Sequence, residues 1–122
     1  MNERPHTRLI VWNKALQLVE EIYASTSVFP RGELYSLTNQ MRRAAVSVPS
    51  NIAEGSARWS KNDKLHFFRM ARSSLSEIET QIEISRRLAY LTLSRVEALF
   101  LLSNEVGRLL NGLILSRERQ SE

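Results

Sequence analysis

The chain has 122 residues, with 17 Lys+Arg against 13 Asp+Glu, four Gly, three Pro and no Cys. That length fits one domain around one hydrophobic core, and 43 % apolar with 25 % charged residues is the composition of a globular chain rather than a disordered one. Lack of Cys removes disulfides, thiolate zinc sites, iron–sulfur clusters and Cys nucleophiles together, while low Gly and Pro with 7 % aromatic content argue against a β-sandwich and for long uninterrupted elements.

Val11, Trp12, Ala15, Leu16, Val19, Ile22 and Tyr23 recur at three- and four-residue spacing, which predicts an amphipathic helix over 9–27. It stops before Phe29-Pro30, because a residue ahead of Pro is pushed out of helical geometry. Leu37, Met41, Ala44, Ala45, Val48 and Ile52 predict a second helix over 36–54, with Gly55 as a left-handed C-cap. Pro49 lies inside that stripe and removes one backbone hydrogen bond. The expectation is a kinked but continuous helix, with Ser47, Ser50 and Asn51 satisfying the carbonyls Pro49 frees.

Ser60 with Asp63 resembles a capping box and opens a third helix over 61–90 through Leu65, Phe68, Ala71, Leu75, Ile78, Ile82, Ser85 and Ala89. On it Glu83 and Arg87 stand one turn apart in the favourable order. Ser94 with Glu97 reads as a second box, opening a fourth helix over 95–116 through Val96, Leu99, Phe100, Ser103, Val106, Leu110, Leu113 and Ile114. Residues 117–122 are expected to fray. Short connections make sequential helices antiparallel, so the predicted fold is an all-α, up-down-up-down four-helix bundle forming a single domain over 1–122. The polar residues 1–8 resemble no leader, and the longest apolar stretch, 98–102, is far too short to span a bilayer. A cytoplasmic protein without membrane contact is expected.

Twelve of the twenty residues from 96 to 115 are apolar, more than one stripe needs. Leu101, Leu102, Leu109 and Leu115 fall off the core face of the fourth helix, Phe67, Met70, Ile84 and Leu88 adjoin the seam of the third, and the first adds Leu18. Each is worth roughly 1.5–3 kcal/mol when buried. Such a surplus predicts a homo-oligomer with its interface on the third and fourth helices.

Residues 37–55 (LTNQMRRAAVSVPSNIAEG) resemble the signature of four-helix-bundle proteins encoded in bacterial large-subunit ribosomal RNA intervening sequences. Residues 11–15 (VWNKA), 75–81 (LSEIETQ) and 88–91 (LAYL) look like that family's other blocks, which more often have Gly where this chain has Ala89. The resemblance implies a four-helix bundle in a ring-like homo-oligomer, a pentamer being expected. It implies no established activity. More distantly, the bundle is similar to retroelement accessory variability proteins, pentameric barrels thought to bind nucleic acid and a reverse transcriptase.

Charge is unevenly spread. Residues 31–72 hold eight basic groups against three acidic, while residues 1–30 balance three against three and residues 73–122 hold six against seven. Arg58, Trp59, Lys61 and Lys64, followed by Arg69 and Arg72, place cations beside an aromatic at a helix N-terminus. Phosphates can meet the charges and a base can stack on the indole. The alternative is that these are solvating charges and intersubunit ion pairs, with Trp59 covering the bundle end. Arg42 and Arg43 can pair with Glu77 or Glu79 on the third helix, a structural role preferred over ligand binding.

Enzymatic readings find little. His6 lies in the N-terminal tail and His66 stands alone, with no Glu-x-x-His pairs for a di-metal site, no Gly-rich phosphate loop and no nucleophile motif. Glu77, Glu79 and Glu83 are more simply partners for Arg or solvent. The sequence thus predicts a non-enzymatic, cofactor-free oligomer with RNA or DNA as partner. The alternative is a scaffold or adaptor that docks protein and makes no nucleic-acid contact.

Overall fold

Four helices, α1 (Ile10–Thr26), α2 (Leu37–Ser56), α3 (Lys61–Arg87) and α4 (Leu93–Glu118), with 3-10 turns at Pro5–Arg8 and Arg31–Glu33, form the computed structural model, which describes residues 4–121. No strand occurs among the described residues. Side-chain bonds fix the helix directions. Arg42 on α2 reaches Thr26 at the end of α1, Ser47 meets Ser74 on α3, and Ser85 further along α3 meets Met41. Glu79 accepts from Ser103 while Arg69 pairs with Glu118, and Arg95 at the start of α4 binds Glu21 near the end of α1. Each neighbouring pair is therefore antiparallel, and α4 closes back on α1.

The predicted core stripes of α2 and α3 are buried throughout, apart from Ala89, which lies beyond the helix end. On α1 the buried set is Val11, Ala15, Leu18 and Ile22, so Leu18 is core rather than surplus. Trp12, Leu16 and Val19 are half-buried and Tyr23 is exposed, because they turn toward α2 at the edge of the seam. The α4 stripe keeps Val96, Leu99, Ser103, Val106, Leu110 and Ile114 buried. As a whole α4 is long and apolar enough, by length and composition, to cross a membrane, a property hidden from a search for unbroken apolar runs; only 28 % of its most apolar window is covered in the bundle.

Several local expectations change. Gly55 is not a left-handed cap, since α2 continues to Ser56 and its C-cap, Ala57, has φ −86°. Helix α2 is continuous through Pro49, as expected, but the neighbouring polar groups bond the next carbonyls along: Ser50 Oγ donates to Val46 O (2.8 Å) and Asn51 Nδ2 to Ser47 O (2.9 Å). The cap of α4 is Thr92, whose Oγ1 accepts from Arg95 N–H (3.2 Å), so the helix starts before the predicted Ser94 box. It also runs to Glu118, so only the last residues of the expected frayed tail are non-helical, and Glu122 lies outside the described residues. At the other terminus, His6 belongs to a 3-10 turn with its ring against Trp12 at 4.8 Å, while residues 1–3 lie outside the described part.

Helix α3 ends three residues earlier than predicted, in a Schellman turn. Tyr90 N–H donates to Ser85 O and Ala89 N–H to Arg86 O, both at 3.0 Å, with Ala89 at φ 59°. Tyr90 then donates to Glu33 Oε2 (2.7 Å) and packs against Phe29 at 5.2 Å, joining the α3–α4 connection to the α1–α2 connection. That hydrogen bond holds the Glu33 carboxyl below the usual carboxylate range. Arg42 does not pair with Glu77 or Glu79. It stacks on Tyr23 (4.6 Å), its Nε donates to Thr26 Oγ1 (2.9 Å), and it thus sits as a cation at the C-terminus of α1. The Glu83 carboxylate accepts from Arg86 and, as predicted, Arg87.

Candidate nucleic-acid interface

The α2–α3 connection is a short turn anchored at both helix ends. Ala57 N–H donates back to Ala53 O and Arg58 N–H to Gly55 O (each 3.2 Å). Ser60 then caps α3, its Oγ accepting from Asp63 N–H (3.1 Å), as the sequence pattern required. Between these two anchored helix ends stands Trp59, 99 % exposed. It does not cover the bundle end.

Arg58 lies across the Phe67 ring (4.6 Å) and its guanidinium binds Glu54 (3.0 Å), so the one carboxylate of the α2 end is neutralised beside the indole. Lys61 opens α3. Lys64 Nζ donates to Ser56 O (3.2 Å). Partial burial pushes the Lys64 amine below the usual lysine range, and the Arg117 charge adds to the shift. The end of α4, with Arg117 next to the Glu118 that Arg69 binds, lies along this same stretch of α3. The spread of sequence between them hid Arg117, and Arg119 one turn's edge beyond it; only the antiparallel return of α4 brings them to this end.

Arg69 and Arg72 stand further along α3 on the side facing α4, where Arg69 binds Glu118 (2.6 Å) and Arg72 Nη1 donates to Asn111 Oδ1 (3.4 Å). Both tie α3 to α4. His66 is exposed, its ring edge-on to Phe67. No group of three His, Asp or Glu positioned to hold a metal occurs among the described residues.

Of the expected interface residues, Leu101 is 73 % exposed and Met70, Ile84, Leu88 and Leu115 also reach solvent. Leu102 and Leu109 instead pack half-buried against their own core, and Phe67 is half-buried under Arg58. A second apolar surface, unforeseen in the sequence, is a groove between α1 and α2 lined by Trp12, Leu16, Val19, Val46, Pro49 and Ala53.

The fold is an all-α antiparallel four-helix bundle. A family model for the 23S rRNA-intervening sequence protein matches residues 7–112, and the chain belongs to that family. It is also similar in fold to a crystal structure of a protein of unknown function from the S23 ribosomal protein family of Bacteroides thetaiotaomicron VPI-5482. There the TM-score is 0.79 at 24 % sequence identity, covering 86 % of this chain and 95 % of that one. No curated protein matches the chain.

Proposed function

We propose that this protein is a non-enzymatic homo-oligomer that binds RNA or DNA through its basic end. The geometry that carries the reading is a bare Trp59 between Arg58 and Lys61, with Lys64 reaching back to Ser56 O at the end of α2 and Arg117 brought to the same end of the bundle beside the Glu118 that Arg69 binds. Cations crowded together at a protein surface are relieved by a polyanion, and their arginines suit phosphate oxygens. Oligomerisation, as a five-membered ring by the family resemblance, repeats the patch by symmetry and raises its avidity.

The test is fluorescence anisotropy with labelled RNA and DNA across a salt series. Binding weakens as salt rises, and Lys64→Gln with Arg117→Gln lowers the slope of log K against log salt by roughly 1–2 with an unchanged circular dichroism spectrum. An unchanged slope and affinity in that double variant sink the basic-end site. For assembly, Leu101→Glu gives smaller species in light scattering; retention of the parental size places the interface elsewhere.

The apolar α1–α2 groove favours a second reading, a scaffold that docks a protein partner there. Binding of that kind is insensitive to salt where nucleic-acid binding is steeply sensitive.

A further inference from the structure

Building on the proposed basic-end site, we infer that its ligand is single-stranded, with an unpaired base stacked on Trp59 and the adjoining phosphates held by Lys64 and Arg117. The indole is 99 % exposed, so both ring faces are open to a ligand. A flat aromatic platform finds no open face in the interior of a duplex, whose bases present only their edges in the grooves, whereas any unpaired base has a face to lay on it.

The backbone that carries the indole is also anchored before binding. Arg58 N–H is bonded to Gly55 O on one side of Trp59 and Ser60 caps α3 on the other, so little backbone freedom remains to be lost. Arg58 is already committed to Glu54 and Phe67 and acts as a positioning residue. It neutralises the Glu54 carboxylate at the end of α2. Lys64 spends one of its three donors on Ser56 O, which aims the ammonium while leaving donors for an anion. The chemistry is that of an unstructured strand: one stacking site flanked by cations, with no side-chain set arranged to read a base edge.

The experiment compares a short oligouridine strand with a duplex of equal length whose ends are closed by non-nucleotide linkers, each against the intact protein, Trp59→Ala and Trp59→Phe, with light scattering on every sample. The protein prefers the strand. Trp59→Ala weakens strand binding about tenfold while duplex binding holds, and Trp59→Phe restores most of the loss. Equal affinity for strand and duplex, or strand binding indifferent to Trp59→Ala, overturns the inference while the basic-end reading survives. Binding of neither nucleic acid overturns that reading itself. A Trp59→Ala protein of smaller size that still takes the strand assigns the indole to a subunit contact instead, and also overturns the inference.

Discussion

Gly55 on α2 lies so close to Phe68 on α3 that a Cβ at that position would stand 2.6 Å from the ring's Cε1 and 3.1 Å from the Lys64 carbonyl. Phe68 is fully buried and cannot retreat. The glycine therefore serves the approach of two helices just before the Trp59 turn, where the sequence suggested a cap.

Gly55→Ala is expected to cost about 1–2 kcal/mol, the overpacking penalty less the helix propensity gained. Gly112→Ala, where the added methyl meets open space, gains up to about 1 kcal/mol. Denaturant midpoints of the two proteins therefore move in opposite directions. A shared direction would mean that Phe68 yields.

Ala89 occupies the left-handed region that a Schellman turn reserves for glycine. Ala89→Gly relieves that strain at some cost in unfolded-chain entropy, and raises stability by about 0.5–1 kcal/mol. Chemical denaturation reads this directly, and a loss of stability would contradict the geometry.

The sequence pattern assigned the α4 cap to Ser94, and the structure gives it to Thr92. Thr92→Ala costs about 1 kcal/mol as a lost cap, while Ser94→Ala changes stability by less than about 0.5 kcal/mol. Parallel thermal melts distinguish the two.

Acid weakens one surface cluster in a defined window. Hydrogen bonds from Arg86 and then Arg87 lower the Glu83 carboxyl from 4.5 to about 2. A depressed carboxyl contributes stability above its unfolded value, and that contribution is lost as the pH falls from 4.5 through about 2. Glu83→Gln abolishes this component, so its unfolding midpoint falls less steeply on acidification; Glu33, shifted the same way by Tyr90, keeps part of the slope. Identical slopes in parent and variant would show that the cluster does not form in solution.

What the sequence revealed follows from how local each feature is. Helix α3 was legible because one cap and one uninterrupted stripe, Leu65 to Ser85, both point to the same face. Helix α1 carries two stripes of equal spacing, and period alone cannot say which one meets two neighbours; Leu18 went to the wrong face for that reason. Arg42 was given a carboxylate because charge suggests charge, while its true partners, Tyr23 and Thr26, are a ring and a hydroxyl on another helix. Arg58 to Lys64 could be read as a cluster since they are contiguous. Arg117 joins them only through the fold.

The bond between Tyr90 and Glu33, with Phe29 packed beside it, fastens together the two connections at the end of the bundle remote from Trp59. At the opposite end α3 and α4 are closed in part by Arg69 and Glu118, an exposed ion pair that salt screens. Ionic strength therefore acts at the Trp59 end on the protein's own Arg69–Glu118 clasp, so a salt series aimed at the proposed site also reads the strength of that clasp.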